Sequence, residues 1–74
     1  MTMTLDTKGM ICPLPILKAK KALKGLAAGE VLEVIATDPG AVKDFDSFCR
    51  TTGNELMETA EDEGVYTFTI KKGA

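Results

Sequence analysis

The chemistry that this sequence offers is that of a thiol. The chain has 74 residues, two cysteines and no histidine, so it lacks an imidazole base and cannot complete a four-ligand zinc site. One cysteine stands in the stretch Cys12-Pro13-Leu14-Pro15. A thiol becomes a good nucleophile when it ionises. The elements around Cys12 therefore decide whether this residue can react.

A helix is expected directly after Cys12, from Pro13 to Ala27, with Gly29 placed to end it. Its apolar residues recur on one helical face, and they are Ile16, Ala19, Ala22, Leu23, Leu26 and Ala27. Before it, a short strand from Thr2 to Asp6 leads into a turn at Lys8-Gly9. Asp6 could hydrogen-bond near the Gly9 turn, or it could simply end the strand.

The two prolines are predicted to present the Cys12 thiol to solvent. Pro13 and Pro15 have the φ values of a first helical turn, and they bias the residue before each of them toward an extended backbone. Unpaired backbone N–H groups and the helix dipole favour a thiolate at this end of a helix. Because Pro15 has no N–H, the donors expected near the sulfur are those of Leu14 and Ile16. A helix that begins at Pro15 would leave Cys12 further from the dipole.

The outward face of this helix predicts a docking surface. Leu14 and Leu17 fall opposite the core stripe, together with Lys18, Lys20, Lys21 and Lys24. An apolar centre with a basic surround, formed by Leu14, Leu17, Lys18 and Lys21, suits an acidic protein partner that approaches Cys12. The alternative for this face is a solvated lysine surface with the leucines under a neighbouring loop. A separate alternative for Cys12 is a small buried apolar residue next to a stiff proline turn.

The rest of the chain predicts one strand, a helix and a further pair of strands. Glu30 to Thr37 reads as an inner strand, and Asp38-Pro39 as the N-cap and first residue of a second helix that ends at Gly53. Leu56 to Glu61 and Val65 to Lys71 form a hairpin through Asp62-Glu63-Gly64. The resulting order, βαβαββ, predicts a single-domain α+β two-layer sandwich, with a four-stranded mixed sheet and both helices on one face.

The second cysteine, Cys49, is predicted to be a core residue. It shares a helical stripe with Val42, Phe45 and Thr52. A disulfide or relay with Cys12 would need an exposed Cys49, which this position does not favour.

Charge and composition exclude several classes of partner. The net charge of −2 and the scarcity of aromatic residues argue against binding nucleic acid. The N-terminal residues do not form a signal peptide, and the longest apolar run is broken by two prolines, so a cytoplasmic protein without a membrane anchor is expected. Acidic residues of the hairpin protect an exposed sheet edge and favour a monomer; these are Glu55, Glu58, Glu61, Asp62 and Glu63.

An ordered set of residues resembles the small TusA/SirA-like sulfur-carrier family. The set spans nearly the whole chain and comprises Leu5-Asp6, Gly9, Cys12-Pro13-x-Pro15, Lys20-Lys21-Ala22-Leu23, Gly29-Glu30, Thr37-Asp38-Pro39, Asp44-Phe45, Phe48-Cys49 and Thr52-Gly53-x-Glu55-Leu56. The resemblance implies a βαβαββ fold and a sulfurtransferase role in which Cys12 carries sulfur as a transient persulfide, without metal or other cofactor. It also implies a donor protein, a cysteine desulfurase or a rhodanese-type protein, and an acceptor protein. The routes known for the family lead to tRNA 2-thiouridine, molybdenum cofactor or sulfur oxidation.

Two other functions compete with the sulfur carrier. A thiol redox sensor would use Cys49 as its resolving cysteine. A non-catalytic regulatory or interaction module would keep the leucine and lysine face and need no reactive sulfur.

Overall fold

The computed structural model describes residues 2–11 and 14–73. Its elements follow the predicted order βαβαββ: β1 (Thr2–Thr7), α1 (Leu14–Lys24), β2 (Val31–Ala36), α2 (Ala41–Thr52), β3 (Glu55–Asp62) and β4 (Val65–Lys71). The four strands form one mixed sheet in the order β1-β2-β4-β3. β1 pairs in parallel with β2, and β4 pairs antiparallel with both β2 and β3. The predicted fold class is confirmed.

The core lies between the sheet and the two helices. The inner strand β2 buries alternate side chains, those of Leu32, Val34 and Ala36, because successive side chains of a strand point to opposite faces. From the helical layer, the Phe45 ring stacks on Phe68 of β4 with centroids 4.6 Å apart. The whole core cluster comprises Ala19, Leu23, Leu32, Val34, Ala36, Ala41, Phe45, Cys49, Phe68 and Ile70.

The hairpin between β3 and β4 has a two-residue turn. Asp62 pairs with Val65, and both residues between them have positive φ, 50° at Glu63 and 82° at Gly64. Turns of this kind match the right-handed twist of the strands that they join. The hairpin leaves β3 at one edge of the sheet with nearly every side chain exposed, as the acidic sequence predicts.

Helix α1 is shorter than its apolar periodicity predicts. It ends at Lys24 rather than at Ala27, because Gly25 follows and glycine is a poor helix former. The amides of Gly25 and Leu26 donate to carbonyls only three residues back, at 3.1 Å each. Ala27 is therefore exposed and does not belong to the core, contrary to prediction.

The start of α2 also differs from prediction. The helix begins at Ala41 with Gly40 at its N-cap, and no side chain caps it. The Asp38 carboxylate instead accepts a hydrogen bond from the Gly40 amide at 3.0 Å, the local side-chain turn that aspartate favours in competition with capping. Two members of the predicted α2 stripe, Val42 and Thr52, are exposed, so the buried stripe is narrower than expected.

Candidate functional site

The candidate site is the segment that joins β1 to α1. Cys12 and Pro13, the first two residues of the proline motif, lie outside the described residues. Their neighbours in the chain are described: Ile11 on one side and Leu14, the first residue of α1, on the other. The helix thus begins before Pro15, and Cys12 lies two positions ahead of its first residue in the sequence.

The Leu14 amide, predicted to be a donor near the sulfur, is already engaged. It donates to the Ile11 carbonyl oxygen at 2.9 Å. That prediction is therefore wrong for Leu14. Pro15, which the sequence assigns only a backbone role, is also one of the fully buried side chains, so it ties the first turn of α1 to the core.

Hydrogen bonds anchor the turn that enters the site. Asp6 accepts from the Lys8 amide at 2.9 Å and lies 3.8 Å from the Lys8 Nζ. Gly9, with φ of 83°, donates its amide to Thr37 Oγ1 at 3.0 Å. A positive φ of this size strains any residue with a side chain. Asp6 and Gly9 therefore shape the turn, and of the two possibilities for Asp6 the structure shows the hydrogen bond.

Two threonines that sequence reasoning missed fix this turn to the end of β2. Thr7 is fully buried, and its Oγ1 donates to the Ile35 carbonyl at 2.6 Å. Thr37 accepts from Gly9. A signal for Thr7 was present, since it falls on the same face of β1 as Leu5, which packs against the core. The hydrogen bonds of Thr7 and Thr37 depend on how the strands pair, so they cannot be deduced from the local sequence.

An exposed apolar strip borders the site. It consists of Ile11, Leu14 and Leu17, which are 71%, 46% and 55% exposed. The two leucines are thus not covered by a neighbouring loop, and that part of the alternative is wrong. Ile11 was missed by sequence reasoning, although it directly precedes Cys12. Large apolar side chains that stay exposed together are typical of interaction surfaces.

The lysines of α1 surround this strip. Lys18, Lys20, Lys21 and Lys24 are all exposed, and we refer to them as the basic face. The ion pairs given by the described part of the chain are Lys8 with Asp6 and Arg50 with Asp46. Neither pair includes a lysine of the basic face.

A groove runs between α1 and α2 next to the strip. It has a volume of about 480 Å³. Its lining residues come from both helices and are Ile16, Leu17, Lys20, Asp44, Ser47, Phe48, Thr51 and Thr52. Sequence periodicity did not reveal this groove, because it depends on how the two helices pack beside each other.

The other cysteine, Cys49, has the properties of a core residue. It is 3% exposed, which confirms the prediction. Burial, and to a lesser extent the charge of Asp46, raises the pKa of its thiol to about 11. A thiol in this setting is almost entirely protonated at neutral pH, so Cys49 is a poor nucleophile.

Within residues 2–11 and 14–73 no group of three or more side chains of the metal-binding types lies together. No helix in this part of the chain has the length and apolar character needed to cross a membrane.

Comparison with known proteins identifies the family. The family model described as sulfurtransferase TusA matches residues 3–72. Over 68 residues the chain is 62% identical to the sulfur carrier protein TusA of Allochromatium vinosum, covering 92% of this chain and 90% of that protein. It is 53% identical, also over 68 residues, to a putative sulfur carrier protein of Neisseria meningitidis, with 92% of each chain covered.

A solved structure agrees with the sequence comparisons. The crystal structure of the SirA-like protein from Desulfitobacterium hafniense superposes with a TM-score of 0.85 and 33% sequence identity, and the whole of both chains is covered. The chain belongs to the TusA sulfurtransferase family, and the resemblance noted from its motifs is confirmed.

The buried Cys49 thiol predicts a specific loss of stability at alkaline pH. Its pKa is about 11 in the folded protein against an ordinary value of 9.0. At pH values below 9.0 the Cys49 thiol is protonated in both the folded and the unfolded protein. Between 9.0 and about 11 it ionises only in the unfolded protein. The free energy of unfolding therefore falls as the pH rises through this range. The loss amounts to roughly 2–3 kcal/mol near the upper end of this window.

Urea denaturation at about pH 8 and about pH 10.5 measures this effect. Wild type should lose stability between the two conditions, and so should Cys12→Ser, in which Cys49 is the thiol that remains. Cys49→Ala should lose less stability, because it has no thiol at this position to ionise. The cavity that the substitution leaves lowers the free energy of unfolding equally at both pH values, so it does not affect this comparison. An equal loss in Cys49→Ala and wild type would contradict the raised pKa.

Proposed function

We propose that this protein is a sulfur carrier that accepts a sulfane sulfur on Cys12 as a persulfide and relays it to a cysteine of a partner protein. The chain's membership of the TusA sulfurtransferase family supports this function. The choice of Cys12 as the carrier rests on the burial and the pKa of the other cysteine. Of the two cysteines in the chain, Cys49 is buried and has a pKa of about 11, which leaves Cys12 as the carrier.

The relay consists of two exchange steps on sulfur. The Cys12 thiolate attacks the outer sulfur of a donor persulfide; a new S–S bond forms, the S–S bond of the donor breaks, and the donor leaves as a thiolate. The acceptor thiolate then attacks the outer sulfur of the Cys12 persulfide, and Cys12 leaves as a thiolate. No net oxidation occurs, and neither step needs a metal or another cofactor.

The rate of both steps depends on the thiolate form of Cys12. A thiolate attacks faster than a thiol, and a thiol with a lowered pKa is also a better leaving group. The position of Cys12 two residues before the first residue of an 11-residue helix favours the anion, since a helix N-terminus carries roughly half a positive charge. The rings of Pro13 and Pro15, which follow Cys12 in the sequence, fix the backbone φ angles of these two residues.

The partners are a donor protein, a cysteine desulfurase or a rhodanese-type protein, and an acceptor protein. We propose that both approach the surface formed by Leu14, Leu17, Lys18 and Lys21. The exposure of the two leucines favours this surface over a merely solvated lysine face, which would not account for them. The route served, tRNA thiolation or another, belongs to the partners, and a cytoplasmic monomer stays our prediction.

The burial of Cys49 disfavours the redox sensor, because a resolving cysteine has to reach the sulfenic acid or disulfide of the first. A regulatory or interaction module that uses the same surface without sulfur remains the second candidate. The two functions differ in whether Cys12 gains sulfur.

Intact mass after incubation with cysteine, pyridoxal phosphate and a cysteine desulfurase tests the carrier function. Wild type and Cys49→Ser should each gain the mass of one sulfur atom, and the gain should disappear after treatment with a reductant. Cys12→Ser should gain none, because its hydroxyl cannot form a persulfide. Sulfur retained on Cys12→Ser, or no gain in wild type with either a desulfurase or a rhodanese-type donor, would contradict the proposal.

Reversing two charges of the docking surface tests the role of the lysines. Lys18→Glu with Lys21→Glu should reduce the rate of sulfur transfer from the donor roughly tenfold at low salt, through slower association. The circular dichroism spectrum and the alkylation rate of Cys12 should change little. Replacing the same lysines by arginine is the matched control and should preserve transfer. Unaltered transfer in the glutamate variant would favour the solvated-face alternative.

A further inference from the structure

We propose that the groove between α1 and α2 binds an acidic segment of the sulfur-donor protein and encloses a large apolar side chain of that segment. The proposal rests on the proposed sulfur-carrier function. It extends the docking surface from the outward face of α1 to residues of α2 that the sequence did not single out, Ser47 and Thr51 above all.

The dimensions and lining of the groove suit one large apolar side chain. Its volume of about 480 Å³ falls within the range of roughly 300–1,000 Å³ that is typical of binding pockets. Ile16, Leu17 and Phe48 supply its apolar surface, and Ser47 and Thr51 its polar rim. The Phe48 ring is held edge-on against Phe45, with centroids 6.3 Å apart, so the apolar surface is fixed to the core.

The groove is continuous with the candidate site. The strip of Ile11, Leu14 and Leu17 has a spacing of three residues, and Leu17 belongs to both the strip and the groove. A segment anchored in the groove would therefore extend along exposed apolar side chains toward the residues that flank Cys12. Such an anchor would hold the donor persulfide near Cys12 for the exchange step.

The charge around the groove specifies an acidic occupant. Lys20 lines the groove itself, and Lys21 and Lys24 are exposed beside it on α1. The described ion pairs leave all four lysines unpaired. Asp44 is the one acidic side chain among the lining residues, so positive charge exceeds negative charge around the groove. Complementary charge both speeds encounter and rejects wrong partners.

The same charges disfavour a second copy of this chain as the occupant. A symmetric dimer joins the same patch of both subunits. Pairing the groove with its own copy would bring Lys20, Lys21 and Lys24 of both copies close together. A foreign acidic segment avoids this repulsion.

Four variants test the groove with the donor that loads wild type. Ser47→Trp fills the groove, and Thr51→Glu adds a negative charge to its rim; both residues are exposed. Thr51→Gln is the matched uncharged control. Thr4→Glu makes the same charge change at an exposed residue of β1 that alternates with the inward Leu5 and Thr7, and so lies on the sheet face away from the helices.

The initial rate of sulfur gain by intact mass, measured against carrier concentration, gives the KM for the carrier. We expect Ser47→Trp to raise this KM by about tenfold or more and Thr51→Glu by about threefold to tenfold. Thr51→Gln should raise the KM less than Thr51→Glu does, because it adds no charge to the groove, and Thr4→Glu should stay within about twofold of wild type. Alkylation of Cys12 by iodoacetamide should proceed at the wild-type rate in all four, which separates a docking effect from a change in the thiol.

A wild-type KM in Ser47→Trp would overturn the groove proposal while leaving the carrier function intact. Failure of wild type itself to gain sulfur would overturn the carrier function and the groove proposal with it. Sedimentation equilibrium of the carrier alone tests whether the groove binds a second copy of this chain. A wild-type dimer that Ser47→Trp abolishes would show that the occupant is a second copy and would overturn the acidic segment.

Discussion

The parallel pairing of β1 with β2 is the constraint on which the rest of the structure depends. Because the two strands run the same way, with Thr7 opposite Ala36, their carboxyl ends lie at one edge of the sheet, and the chain must cross back through α1 to begin β2. The segment after β1 and the segment after β2 meet at this edge, where Gly9 bonds to Thr37. The turn that leads toward α1 is consequently held beside the residues that lead toward α2.

The fold buries one of the two cysteines, Cys49. Cys49 packs into the helical layer beside the sheet, where burial raises its pKa and removes it from chemistry. Cys12 belongs to the connection ahead of α1, between the exposed Ile11 and Leu14. A carrier of labile sulfur needs one reactive thiol without a second one to capture the persulfide as a disulfide. Burial of Cys49 meets that need as long as the protein stays folded.

Much of this could be predicted from the sequence, and the failures have physical causes. The alternation of apolar residues in the strands and the apolar stripe with Phe45 and Cys49 predicted the fold class. This was possible because the spacing of apolar residues along a short segment indicates whether that segment is a strand or a helix and which of its faces is buried. The end of α1 was missed because partly buried Leu26 continues the apolar period beyond Gly25, where the helix stops. The anchors Thr7 and Thr37 and the groove beside Phe48 depend on contacts between elements far apart in sequence, which no local pattern contains.

The most direct test of the central claim is the pH dependence of Cys12 alkylation in the folded Cys49→Ser variant, in which no other thiol can react. A sulfur carrier that uses the N-terminus of α1 should show a midpoint well below the ordinary cysteine value of 9.0, with a fast rate on the neutral side. A midpoint at or above that value, or the slow reaction of a buried thiol at every pH, would contradict the account.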